Sequence, residues 1–167
     1  MKNLNSLFLN FSITILDYLY FKRHLQRFWV LEVIARSPYF AFLSVLHFKE
    51  SLGLKNDKTL YLMKEHFYQA INETEHLKEM ERRGGDKYWI DRLFARHLVL
   101  IYYWIMVIYY FLSPVNAYDI NIKIEEHAFK TYSKYLEEYP NDIKIREIAQ
   151  DELNHVKELN QALSILN

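Results

Sequence analysis

The sequence predicts an all-α protein of six long helices, on three observations. Gly and Pro number only three each in 167 residues, so breakers of regular backbone fall at a few joints. Those joints, Ser51 to Asp57, Gly84-Gly85-Asp86, Ser113 to Ala117 and Pro140-Asn141-Asp142, cut the chain into helical lengths. Within the lengths apolar residues recur at helical spacing, and no stretch alternates with the two-residue period of a strand. The expected helices cover residues 5–22, 26–50, 57–83, 87–112, 118–139 and 142–165. A chain of this size holds one substantial core, so a single domain is expected over residues 1–167.

Taken in order, the first helix carries an apolar stretch from Leu7 to Phe21 that includes Asp17 and is followed by Lys22-Arg23. With no small-residue cleavage pattern it reads as a mature amphipathic helix, not a signal peptide. The second places Glu32 inside Trp29-Val30-Leu31-Glu32-Val33-Ile34-Ala35, where a charge is costly unless paired or metal-bound. In the third, Leu60, Met63, Phe67, Ala70, Ile71 and Leu77 keep helical spacing and are expected in the core. The fourth contains an uncharged run from Leu98 to Leu112 that is short of the roughly 20 residues a bilayer span needs. Such a run either lies in a membrane without crossing it or is a buried core helix. The fifth leads through Ile120, Ile122 and Ile124 to Glu125 and Glu126, and periodicity does not choose which acid faces inward. The sixth repeats the core stripe with Ile143, Ile145, Ile148, Leu153, Val156 and Leu163.

Composition excludes several function classes. Lysine plus arginine equals aspartate plus glutamate at 21 each, so there is no net charge to attract nucleic acid, and no nucleic-acid partner is expected. The absence of cysteine removes disulfides, thiolate metal sites and thiol regulation. A metal site in this chain must be built from His and carboxylates.

The chain supplies such a set. Glu73-Thr74-Glu75-His76 and Glu152-Leu153-Asn154-His155 each place a Glu and a His three residues apart, on one face of a long helix. Di-iron and di-manganese sites in helical bundles use two such motifs plus one Glu from each of two further helices. Glu32 and either Glu125 or Glu126 answer to those positions, whereas Glu75 reads as a surface acid. The order Glu, Glu-x-x-His, Glu, Glu-x-x-His is a weak internal repeat. Asn72 and Asp151 stand directly before the motif glutamates, four residues ahead of each His, where a hydrogen-bonding side chain can orient a ligand. Four carboxylates and two imidazoles suit iron or manganese, and the fold expected is a ferritin-like four-helix bundle with two additional membrane-associating helices.

The string Leu31-Glu32-Val33-Ile34-Ala35-Arg36-Ser37-Pro38, with His47 downstream, resembles the alternative oxidase family. That family's Asn-Glu-x-x-His-Leu is met by Asn72 to Leu77, its Asp-Glu-x-x-His by Asp151 to His155, and its Arg followed by Ser-Pro by Arg92 and Ser113-Pro114. The resemblance covers nearly the whole chain. It places the family's catalytic Tyr, seven residues after its bridging Glu, at Tyr132, which selects Glu125. The ligand set it implies is Glu32, Glu73, His76, Glu125, Glu152 and His155 around two irons. For the quinol pocket it implies Arg27, Leu31 and Thr131, with Asp17 matching an acid of the family's first helix.

The activity implied is reduction of oxygen to water by quinol, insensitive to cyanide and without proton pumping, in a homodimer seated on one membrane leaflet. The expected location is the cytoplasmic face of a bacterial inner membrane, with the mitochondrial inner membrane as the other possibility. Departures from the pattern fall mainly on the quinol side. His127 stands where the family has Glu, Tyr118 where it has His, and the connection from Glu125 to Glu152 is short and lacks a family Trp. With no cysteine and no amino-terminal extension, the chain is expected to be a minimal catalytic core. The alternative on the same scaffold is a demethoxyquinone-type hydroxylase, and from a different class a metal-storage or metal-free interaction bundle.

Overall fold

The computed structural model describes residues 2–54 and 56–166. Among them are six helices and no strand: α1 Lys2–Leu19, α2 His24–Ser51, α3 Asp57–Arg82, α4 Trp89–Leu112, α5 Pro114–Glu138 and α6 Ile143–Leu166. The all-α expectation holds, and one joint is tighter than expected. Where α5 was expected from residue 118, it begins at Pro114, so Ser113 alone separates it from α4. Proline at the first helical position has its φ already set and needs no N–H partner, so it starts a helix as readily as it stops one.

The other joints follow their residues. Asn56 accepts hydrogen bonds from the backbone N–H of Lys58 and Thr59 at 3.0 and 3.1 Å, while its own N–H donates to the Thr59 hydroxyl at 3.1 Å, a reciprocal cap that starts α3. Gly84, at φ +81°, ends that helix in a conformation that costs a larger residue energy. Its neighbour Gly85 is required for a different reason. A Cβ there would sit 2.7 Å from Trp29 Cβ and 2.8 Å from the Leu25 carbonyl, where the end of α3 crosses the start of α2. Gly85→Ala is therefore expected to destabilise the fold by about 1–3 kcal/mol. A thermal melt of the variant should fall by roughly 2–4 °C for each kcal/mol.

Two antiparallel hairpins, α2–α3 and α5–α6, pack face to face through α2 against α5 and α3 against α6, which makes the four-helix bundle. Helix α1 packs on α5, and α4 packs on α2 and α5. The bundle core divides into two apolar clusters. One contains Phe28, Val30, Val33, Leu77, Met80, Tyr132, Ile145 and Ile148; the other contains Tyr39, Phe42, Val45, Leu62, Tyr110, Tyr118, Ile120 and Leu159. On α3, α5 and α6 the expected ligand residues fall between the two clusters, and on α2 Glu32 adjoins Val30 and Val33 of the first, so a polar layer lies within apolar packing.

That layer overturns part of the expected core stripe of α3. Leu60, Phe67 and Ile71 are 62%, 54% and 45% exposed, and Ile143 of α6 is also exposed. The buried face of α3 instead carries His66, Gln69, Glu73 and His76 along with Leu62, Ala70, Leu77 and Met80. Polar side chains that have partners inside the bundle displace an apolar stripe to the surface.

Helices α2 and α4 are both long and apolar enough to cross a membrane, but their apolar windows differ sharply in burial, at 67% for α2 and 22% for α4. The first is a bundle helix. The second turns Leu100, Ile101, Trp104, Ile105 and Ile108 outward, beside Leu4, Leu7, Phe8 and Phe11 of α1. Asn5 ties α1 to α4 and α5, accepting from the Tyr109 hydroxyl at 2.9 Å and donating to the Asn116 carbonyl at 2.9 Å.

Candidate metal centre

Glu32, Glu73, His76, Glu125, Glu152 and His155 are all buried. They come from α2, α3, α5 and α6, one Glu or one Glu-x-x-His set per helix. Their ligand atoms form two groups, Glu32, Glu73, His76 and Glu152 in one and Glu73, Glu125, Glu152 and His155 in the other, each with all atoms within 4.8 Å. Glu126 and Glu75 lie exposed. The inward acid of α5 is thus Glu125. The two groups share Glu73 and Glu152, whereas Glu125 belongs to one group only.

Side-chain chemistry fits metal at this place. Both oxygens of Glu73 and Glu152, one oxygen each of Glu32 and Glu125, and Nδ1 of both His76 and His155 are buried with no hydrogen-bond partner. Buried polar atoms are almost always paired, so eight orphans within these two groups need an external partner. His76 Nδ1 lies 3.3 Å from Glu152 Oε1 and 3.7 Å from Glu32 Oε2, while His155 Nδ1 lies 2.9 Å from Glu73 Oε1. Oxygen and imidazole nitrogen donors at such spacing are suited to iron, manganese or zinc, with the carboxylate majority favouring the first two.

Around the ligands the hydrogen bonding is specific. Asp151 Oδ2 accepts from His76 Nε2 at 3.1 Å, which sets that ring with Nδ1 free toward the centre. Asn72 Nδ2 reaches the same carboxylate at 3.4 Å. The two residues singled out for orienting ligands therefore act together on His76, across the helix pair, and not each on the His of its own helix. Tyr132 donates to Glu32 Oε1. Tyr39 donates to Glu125 Oε1 at 2.8 Å, a contact the sequence reading missed although Tyr39 follows Glu32 by the same seven residues that separate Tyr132 from Glu125. Asp151→Asn, which keeps the shape but weakens the acceptor, is expected to lower iron affinity by about 10–100-fold, measured by competition with a chelator.

Electrostatics show what the layer costs without cations. Burial and then the neighbouring Glu73 charge push Glu125 up to about 7, and the same two causes raise Glu32 and Glu152 well above the carboxylate range. Burial opposes charge on Glu73 too, but the His155 imidazole 2.9 Å away holds it below its ordinary value. His155 in turn rises to about 9, since Glu73 outweighs the effect of burial. For a carboxyl raised in the fold, the unfolded chain ionises first as pH rises, so folding loses stability between about pH 4.5 and 7. A raised His contributes stability below its unfolded value that is lost as pH climbs toward 9. The Glu73 contribution is lost only below pH 4.5. Chelator-treated protein is thus expected to melt progressively lower from pH 5 to pH 9, and metal-loaded protein should reverse that slope because its ligands must be deprotonated.

The residues expected at a quinol pocket divide between two adjoining cavities. An apolar one of about 270 Å³ is lined by Leu31, Ile34, Ala35, Leu98 and Tyr102 with the inner face of α1. A more polar one of about 750 Å³ is lined by Arg27, Thr131, Asp17 and Lys130. His127 lines both. Arg27 donates to Asp17 Oδ1 at 2.7 Å and to His127 Nε2 at 3.4 Å, so that nitrogen carries no proton. Burial and then the Arg27 charge lower His127 to about 4. His47 lies exposed at the far end of α2.

A family model of alternative oxidase matches residues 10–159. The chain belongs to the alternative oxidase family. Among curated proteins it is similar to ubiquinol oxidase 4, chloroplastic/chromoplastic, of Arabidopsis thaliana, at 46% identity over 132 residues. The match takes in 79% of this chain and 37% of that oxidase, so the chain spans well under half the length of this relative. No solved structure matches it. The relative's name places that protein in a plant plastid and lends nothing to the bacterial inner membrane expected from the sequence.

Proposed function

We propose that this chain is a membrane-associated quinol oxidase that reduces dioxygen to water at a pair of irons. The observation that carries the reading is the double cluster, two groups of three carboxylates and one imidazole with Glu73 and Glu152 common to both, in a member of the alternative oxidase family. Glu32 and His76 would complete the hold on one iron, Glu125 and His155 on the other. Two irons there would bind dioxygen and relay electrons to it. Everything else falls to the protein. The apolar clusters above and below keep water from the layer. Asp151 keeps His76 in the tautomer that presents Nδ1. Tyr132, fully buried and hydrogen-bonded to Glu32, holds a phenolic proton and an oxidisable ring beside the site.

On the substrate side, the apolar cavity between α1, α2, α4 and α5 would take the lipid tail, and its polar continuation at Arg27, His127 and Thr131 would take the ring. With Nε2 of His127 capped by Arg27, a quinol hydroxyl meets a neutral imidazole in place of the carboxylate the family has there. Two quinols release four protons and four electrons, and one dioxygen consumes as many, so no proton need be drawn from either side. The exposed apolar faces of α1 and α4 would seat the protein on a membrane surface, bringing the cavity to lipid-soluble substrate. A homodimer, as in the family, is part of the same proposal.

Oxygen uptake by iron-loaded, detergent-purified protein given a short-chain quinol tests this. The expected result is uptake that persists with cyanide and is lost in Glu73→Ala, with quinone and water as products. Iron binding without quinol oxidation, or oxygen appearing in a hydroxylated quinone, would contradict it.

A further inference from the structure

The centre has an approximate internal two-fold relating α2–α3 to α5–α6. It exchanges Glu32 with Glu125, Glu73 and His76 with Glu152 and His155, and Tyr39 with Tyr132. Each tyrosine lies seven residues beyond the glutamate of its own helix and donates to the glutamate of the other: Tyr132 to Glu32, Tyr39 to Glu125. Both are fully buried. Whatever fits one of them to exchange an electron and a proton with the site fits the other.

Their surroundings differ. The Tyr39 ring lies 5.8 Å from the ring of His155 and 6.0 Å from that of His66. His66 is completely buried, stacks on Phe42 at 4.3 Å, and meets the Tyr118 hydroxyl through Nε2 at 2.5 Å and Gln69 Oε1 through Nδ1 at 2.9 Å. Gln69 Nε2 donates onward to Glu158 Oε2 at 3.0 Å. Because the amide nitrogen is spent on Glu158, Gln69 Oε1 accepts from His66 Nδ1–H, and His66 Nε2 is left to accept from Tyr118. The Tyr118 hydroxyl therefore points at a base, as the buried Tyr102 and Tyr110 hydroxyls, which have no partner, do not. Half-buried Tyr61 packs against the cluster that contains Tyr118.

We propose that Tyr39 is a second redox tyrosine of this site and that Tyr118, with His66 as its base, connects it to the α3–α6 surface. This rests on the oxidase reading, which supplies the oxidant. When oxygen has reacted and no quinol is at hand, Tyr39 gives one electron to the metal site and its phenolic proton to Glu125 along the 2.8 Å hydrogen bond. Tyr118 then gives an electron to Tyr39 across the intervening rings and its own proton to His66 Nε2, and Tyr39 recovers its proton from Glu125. A one-electron reductant of thiol or phenol class at the surface restores Tyr118 and releases its own proton to solvent, while Tyr118 takes its proton back from His66. The net transfer is one electron from that reductant to the site, with each proton of the protein returned to its donor.

The test is electron paramagnetic resonance of iron-loaded protein mixed with oxygen in the absence of quinol and frozen at successive times. All variants are first checked for wild-type iron content and melting temperature. Tyr132→Phe is expected to retain a tyrosyl radical that vanishes when Tyr39→Phe is added. Tyr118→Phe should prolong the Tyr39 radical severalfold and shift oxidative modification, read by mass spectrometry, from Tyr61 to Tyr39. Loss of all tyrosyl signal in Tyr132→Phe alone, or an unchanged lifetime in Tyr118→Phe, overturns the relay with the oxidase reading intact. If iron-loaded protein consumes no oxygen at all, both fail together, and oxygen uptake identifies that case.

Discussion

Replacing Glu152 by Gln is expected to abolish iron binding and oxygen uptake while making the chelator-treated protein more stable. Glu152 is common to both ligand groups, so one substitution weakens both metal positions: one carboxylate oxygen becomes an NH2 that cannot ligate, and the other loses its charge. Removing a group that merely orients a ligand costs about 10–100-fold in metal affinity, so losing a shared ligand should exceed the upper figure. Without metal the same carboxyl faces Glu73, Glu125 and Glu32 in a buried layer, and burial followed by those charges pushes it far up. A neutral amide of equal size relieves that repulsion. The melting temperature of the metal-free variant at pH 8 should rise by roughly 3 °C or more, the scale of one kcal/mol in a domain of this size. Isothermal titration with ferrous iron and a thermal melt read the two effects, and a variant that loses both metal and fold would contradict the second. Function is here placed against stability, as is common for active sites.

The second large effect is expected at Tyr132. Tyr132→Phe removes one hydroxyl, the donor to Glu32, and leaves the ring packed on Phe28 at 4.6 Å. Iron content should remain at two per chain, since no ligand atom is lost. Quinol-dependent oxygen uptake should fall by about 100-fold or more, the range for removing a positioned proton donor. The KM for quinol should stay close to wild type, because Tyr132 lines neither cavity. Full turnover in this variant would show that the phenolic hydroxyl takes no part in the chemistry.

Much of this arrangement was legible in the sequence for physical reasons. Each Glu-x-x-His motif sets its Glu and His on one face of a long helix, so both pairs can aim at one place, and a charge at Glu32 in an apolar stretch is costly unless paired or metal-bound. Glu125 could not be separated from Glu126 by periodicity, because neighbouring positions on a helix differ by one step of rotation that a short apolar stripe does not resolve. The resemblance chose between them, and burial agrees. Two things were not legible. The apolar stripe Leu60, Phe67 and Ile71 obeys helical spacing as well as the polar stripe His66, Gln69, Glu73 does, and only the shared site decides that the polar one turns inward. Nor did the chain announce that the two motif glutamates are common to both groups, since that depends on how the two hairpins are set against each other and not on spacing within either. Tyr39 was overlooked among 14 tyrosines, though the seven-residue step from Glu32 repeats that from Glu125 to Tyr132.

The most direct test of the central claim is a crystal structure of iron-loaded protein with anomalous data collected at the iron edge. Two anomalous peaks are predicted, one among Glu32, Glu73, His76 and Glu152 and one among Glu73, Glu125, Glu152 and His155, both absent in Glu152→Gln. A single peak, or iron held anywhere else in the chain, would contradict the account.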